Sequence, residues 1–99
     1  MQTLVIYDIP DDRVRTRIAD VCLDYGLLRV QFSAFMGELS RTHQEELLLQ
    51  IKKRLGRKVG NVQLFPLDEQ TWSRRRVIDQ RGRSEEQEKD AHAATARSD

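Results

Sequence analysis

Apolar and polar positions alternate along this chain in short runs that define its elements one by one. Thr3-Leu4-Val5-Ile6-Tyr7 is almost continuous in apolar, β-branched and aromatic side chains. Such a run suits a strand covered on one face and partly on the other, hence a central strand. Asp8-Ile9-Pro10-Asp11-Asp12 breaks it. Pro10 is tolerated in a first helical turn, and Asp11 or Asp12 can accept bonds from the open N–H groups there. Val14, Ile18, Val21, Cys22 and Tyr25 then fall at i, i+4, i+7, i+8 and i+11, the stripe of an amphipathic helix. Gly26 ends it, where a left-handed residue is expected.

Leu28, Val30 and Phe32 alternate with Arg29 and Gln31, which predicts a half-buried strand with the apolar three facing inward. Ser33 interrupts, and residues 34–39 resume as a second strand. Strands joined this tightly form a hairpin, with a bulge near Ser33. Ser40, with Thr42, offers the next helix cap, and Glu45-Glu46 suits the positive end of a helix. Leu47, Leu48, Ile51 and Leu55 make its buried stripe, and Gly56 and Gly60 close the element. Asn61 to Leu67 alternates again, and Pro66 confines that strand to an edge or its own end. The order β-α-β-β-α-β predicts an α+β, ferredoxin-like sandwich with a four-stranded antiparallel sheet and two helices on one face. Residues 74–78 can add a short fifth strand, exchanged between the protomers of a dimer.

Composition changes the picture at the end of the chain. From Gln80 onward no apolar side chain exceeds alanine, too little to offset the entropy of ordering. Residues 80–99 are therefore read as a charged, disordered tail, and 1–79 as the folding unit. A core that small is marginal alone, and association is a usual remedy. The unpaired edge of the 61–67 strand invites a strand from a partner, with residues 76–79 as donor. Seventeen basic and sixteen acidic residues leave a net charge of +1, which excludes a histone-like chain of one-signed charge. No apolar run approaches the roughly 18 residues of a membrane span, and no secretory signal is visible. The lone Cys22 excludes an internal disulfide. These features read as a soluble cytoplasmic protein.

No P-loop, dinucleotide-binding, nucleophile-elbow or zincin signature occurs. His43 and His92 have no ligand neighbour at metal-binding spacing and read as surface residues; Cys22, on an apolar stripe, reads as core. Phe32 and Phe35 lie on the middle strands, where some RNA-binding domains place stacking aromatics. Core packing is the simpler account of both. Asp8, at the end of an apolar strand, can cap the following helix or supply a hard oxygen to Mg²⁺. Arg15, Arg17 and Arg29 are either solvated surface or phosphate contacts.

Tyr7-Asp8-Ile9 and Arg29-Val30-Gln31-Phe32-Ser33-Ala34-Phe35-Met36-Gly37, at this spacing in a chain of 99 residues, resemble the CRISPR-associated protein 2 family. The resemblance runs over roughly 1–79 and departs from the usual S-V-F-E-G wording at Ala34 and Met36. It implies a ferredoxin-like homodimer of CRISPR adaptation, described as a Mg²⁺-dependent endonuclease on RNA or DNA that also works with the CRISPR integrase. It further implies Asp8 as metal ligand from each protomer, Tyr7 as its catalytic hydroxyl neighbour, and Arg15, Arg17, Arg29, Ser33 and Phe35 as nucleic-acid-binding residues. Two alternatives stand beside the enzyme: a non-catalytic scaffold dimer spanning DNA, and a regulatory dimer binding a small ligand.

Overall fold

Residues 1–80 are described by the structure, a computed structural model. The assignment of a disordered tail therefore lies, from residue 81 and including His92, outside the described residues. Strand β1 (Gln2–Asp8) pairs antiparallel on both sides, with β3 (Ala34–Glu38) and β4 (Asn61–Leu67). β2 (Leu28–Gln31) pairs with the outer edge of β3, giving the order β2-β3-β1-β4. This is the ferredoxin-like arrangement, with β1 central and β4 an edge.

Helix α1 (Asp12–Asp24) starts where the Asp11 carboxylate accepts the Val14 N–H at 3.0 Å. α2 (Arg41–Leu55) starts where the Ser40 hydroxyl accepts the His43 N–H at 3.1 Å. Each bond satisfies a donor that the helix itself cannot. Gly26 and Gly56, at φ 84° and 57°, turn the chain out of the two helices. Val14, Ile18, Val21 and Cys22 of α1 meet Leu47 and Ile51 of α2 over Val5, Tyr7 and Phe35 of the sheet. Val5, Ile18, Phe35 and Leu47 are wholly buried, each contributing about 1.5–3 kcal/mol by removal from water. The one buried polar pair is satisfied internally: the Gln44 amide donates to the Thr3 hydroxyl at 2.9 Å.

Four details depart from the sequence reading. Leu28 and Phe32 are not inward-facing; they are 70% and 69% exposed, because Leu28 pairs with Met36 and so shares the face of Leu4, away from the helices, while Phe32 lies in the hairpin turn. Leu48 is also exposed, and Gln44 takes the buried place on α2. The bulge falls between Arg29 and Gln31, while Phe32 and Ser33 form the hairpin turn. After β4 a short helix, α3 (Glu69–Ser73), is capped by Asp68. Residues 74–80 are then irregular in the protomer, with no strand among them. Within one protomer the segment does not return to the β4 edge; it runs past the sheet face. There Val30, Met36, Leu67, Trp72, Val77 and Ile78 line a groove of about 550 Å³.

Gly37 of β3 is needed for close approach. A Cβ there would stand 2.8 Å from Leu27 Cδ2 and 3.2 Å from Leu27 Cα and the Gly26 carbonyl oxygen. Leu27 is fully buried and cannot swing aside. Gly37→Ala is expected to lower the unfolding free energy by about 1–3 kcal/mol, the usual cost of overpacking. Urea titration checks this: the midpoint should fall at unchanged slope. An unmoved midpoint would show that the loop yields without cost.

Candidate functional site

The pleat of β1 decides which side chains can work together. Thr3, Val5 and Tyr7 are buried beneath the helices, while Leu4, Ile6 and Asp8 alternate onto the other face. Asp8 ends the strand, exposed, opposite Asn61 of β4. It does not cap α1; Asp11 does. Among the described residues no group of three His, Cys, Asp or Glu gathers that could hold a metal. Asp8 is thus an exposed hard carboxylate donor that belongs to no such group. That fits Mg²⁺, which keeps several waters and takes one or two carboxylates, provided a further donor comes from outside.

Tyr7 points the other way. Its ring is 5% exposed and stacks on Phe35 with centroids 6.3 Å apart and planes at 18°. Its buried hydroxyl has no hydrogen-bond partner among the described residues. Desolvation raises its pKa above 10.0, and the positive charge of Arg29 offsets part of that rise. The phenol therefore stays protonated at neutral pH. Tyr7 and Asp8, adjacent in sequence, do not share one side of the sheet within a protomer.

Tyr7 instead joins the arginines. The guanidinium of Arg29 lies over the Phe35 ring, 5.0 Å from its centroid. Phe35 itself is fully buried, so no face of its ring is open to a base. Arg15 donates to the Ile9 carbonyl at 2.9 Å, pairs with Asp12, and lies over the Phe32 ring at 5.4 Å. The Ser33 carbonyl accepts the Tyr7 N–H at 3.0 Å, which ties the hairpin turn to the Asp8 end of β1. Arg17 is exposed on α1 with no ion pair among the described residues. Arg15, Arg29, Ser33 and Phe35 thus converge with Tyr7 at one end of the sheet, and Asp8 ends the same strand on the opposite face. Of the two aromatics on the middle strands, Phe35 is core as expected and Phe32, expected in the core, is exposed in the hairpin turn.

Comparison with known proteins settles the family. A model of CRISPR associated protein Cas2 matches residues 1–75. The chain belongs to the Cas2 family. A protein of Chloroflexus aurantiacus named CRISPR-associated endoribonuclease Cas2 2 is 60% identical over 80 residues, covering 81% of this chain and 94% of that one. A Thermoproteus tenax protein named CRISPR-associated endonuclease Cas1/endonuclease Cas2 fusion is 32% identical over 72% of this chain and 27% of its own. Among solved structures, Cas2 of Streptococcus pyogenes superposes with a TM-score of 0.67 at 21% identity, over 80% of this chain and all of that one. A hypothetical protein of Thermus thermophilus gives 0.62 at 31% identity, over 68% and 80%. Both share the ferredoxin-like fold with this Cas2 family member. No helix among the described residues is long and apolar enough to cross a membrane.

The burial that protonates Tyr7 also acts on Cys22, whose thiol is pushed from an ordinary 9.0 to about 12 by desolvation. A folded pKa above the unfolded one means that the native state keeps protons the unfolded state releases. Stability is then fully present below pH 9 and falls as pH rises from about 9 towards 12, by up to about 1.4 kcal/mol per unit. Denaturation midpoints measured from pH 7 to 11 should decline above 9. Cys22→Ala should flatten that decline; a decline of the same steepness in the variant would assign it to other groups.

Proposed function

We propose that this chain is a Mg²⁺-dependent endonuclease of CRISPR adaptation, cutting RNA or DNA phosphodiesters as a homodimer whose two Asp8 carboxylates share one cation. The observation that carries the reading is the setting of Asp8: an exposed carboxylate that ends the central strand on the face away from the helices, and that belongs to no group of three possible ligands among the described residues. A two-fold axis near that face would supply the second ligand. Two carboxylates so placed repel each other without a cation and hold one when it is present. The endoribonuclease names of the relatives support the activity.

The open face supports the dimer. Leu28, Met36, Leu4 and Phe65 pair across four strands to make an apolar row. Leu28, Phe65, Val77 and Ile78 are exposed in the protomer, an arrangement that asks for a covering surface. The outer edge of β4 is unpaired among the described residues and can take residues 76–79 of a second copy as a fifth strand.

Bound Mg²⁺ would supply positive charge at the scissile phosphate and lower the pKa of its water. The chain's own part is to hold that charge at Asp8 and to position the backbone. Arg15, Arg17 and Arg29 offer donors to phosphate oxygens without reading bases. Arg29 and Arg15 also hold Phe35 and Phe32 in place, and Ser33 holds the turn to β1. Tyr7, neutral and buried, contributes by packing that end of the sheet and keeps a donor in reserve behind it.

One observation favours an architectural role as well. The fused Thermoproteus tenax relative supports a partnership with Cas1, the CRISPR integrase. A scaffold dimer needs the arginines but not the metal, so Asp8 separates the two roles. Asp8→Asn preserves shape while removing one charge per protomer. Cleavage should fall by at least about 100-fold, since metal-stabilised charge is worth several kcal/mol in the transition state. Spacer integration with Cas1 should persist in the same folded variant. Wild-type cleavage rates in Asp8→Asn would remove Asp8 as the metal ligand, and lost integration would count against a metal-independent scaffold.

A further inference from the structure

We propose that Arg15 and Gly60 clamp Ile9 from two sides and so fix where the Asp8 carboxylate stands, which makes both of them positioning residues for its cation. The inference rests on the nuclease reading above and names the groups that hold the metal ligand in place. Asp8 is the last residue of β1. The sheet holds it from behind: the Tyr7 N–H donates to the Ser33 carbonyl at 3.0 Å, and Asp8 itself lies opposite Asn61 of β4. Ahead of it the chain leaves the sheet through Ile9 and Pro10. Whatever holds Ile9 therefore limits the freedom that the ladder leaves to Asp8.

Arg15 holds the carbonyl of Ile9. One guanidinium nitrogen donates to that carbonyl at 2.9 Å, the other pairs with Asp12, and the group lies over the Phe32 ring, 5.4 Å from its centroid. One half-buried side chain thus ties the β1–α1 loop to the first turn of α1 and to the β2–β3 turn. Arg17, two residues on, is exposed. Arg15 serves the strand end in addition to any phosphate it contacts.

Gly60 holds the side chain of Ile9. A Cβ at Gly60 would stand 3.0 Å from Ile9 Cγ1, 3.0 Å from Leu55 Cδ1 and 3.6 Å from the Asp8 carbonyl oxygen. The bare α-carbon lets the start of β4 close on the end of β1, and Ile9, 2% exposed, has no room to retreat. Lys58 reaches Asp11 at 3.5 Å, so the loop that carries Gly60 is also joined to the loop that follows Ile9. A carboxylate that holds Mg²⁺ needs such support. The ion demands near-ideal octahedral geometry, and the groups behind a metal ligand set its orientation.

The test is titration of the whole protein with Mn²⁺ in place of Mg²⁺, without nucleic acid, followed by cleavage kinetics. Arg15→Ala should weaken Mn²⁺ binding by at least about 10-fold, the usual loss when support behind a metal ligand is removed. Arg15→Lys keeps the charge but not the two-pronged fork, and should not restore the affinity. Gly60→Ala changes no charge and should weaken the ion in the same direction, by less. Arg17→Ala removes an equal charge from the exposed surface; it should raise KM and leave Mn²⁺ affinity unchanged. In cleavage, Arg15→Ala should lower kcat by a larger factor than it raises KM, since the lost interaction acts on the metal ligand. Wild-type Mn²⁺ affinity in either folded variant, Arg15→Ala or Gly60→Ala, would overturn the clamp. So would a weakening that higher protein concentration reverses, which would assign it to lost dimerisation. If Arg15→Ala does not fold, Arg15→Lys and Gly60→Ala decide in its place. If Asp8→Asn loses the ion while the clamp variants hold it as the wild type does, the clamp fails and the nuclease reading stands. If the wild type holds no ion that depends on Asp8, both fail together.

Discussion

A strand places successive side chains on opposite faces, and in β1 that constraint governs nearly everything else. The same seven residues put Thr3, Val5 and Tyr7 under the helices and Leu4, Ile6 and Asp8 on the open face. A one-residue slip would bury the carboxylate and expose the phenol. The register cannot slip, because β1 is paired along both edges and its inward residues pack against α1 and α2. Core stability and the placement of Asp8 are therefore one property. The constraint also separates Tyr7 from Asp8: neighbours in the chain, they belong to different faces and can assist one another only through the strand or through a second protomer.

The regular parts of the fold were legible because local chemistry and global pattern agree there. Asp11 and Ser40 cap the helices they precede, Gly26 and Gly56 end them, and Val14, Ile18, Cys22, Leu47 and Ile51 form the core that their spacing implies. Alternation misleads at the sheet margin. Leu28 and Phe32 have the period of a covered strand, but which face of an edge strand meets the helices is set by its register and not by its period. α3 has no sequence signature of its own, because five residues cannot display helical periodicity; its mark is only Asp68 accepting the Thr71 N–H. In the site, Asp8 could be singled out, but the sequence could not decide between helix cap and free carboxylate. The capping bond from Asp11 decides it. Phe35 and Phe32 differ only in depth, and depth is not written in residue type.

Electrostatics at this end of the molecule are arranged in layers. Arg29 and Arg15 lie against aromatic rings, and Arg15 is partly neutralised by Asp12. Lys58 reaches Asp11 at 3.5 Å, and the Val14 N–H first, with that cation, holds the Asp11 carboxyl below its ordinary range. A chain of net charge +1 can in this way present local cationic ground without a globally basic surface. In the proposed homodimer, the exposed Asp8 carboxylate on the other face is completed by what a second copy places beside it.

The stoichiometry of divalent-cation binding is the most direct measurement. Mn²⁺, a hard oxygen-seeking substitute for Mg²⁺, can be titrated into the protein while free ion is followed by electron paramagnetic resonance. A site made from two Asp8 carboxylates across a two-fold axis predicts one tight ion per two chains, lost in Asp8→Asn. One ion per chain, or the same titration in the variant, would contradict a cation shared between the two protomers.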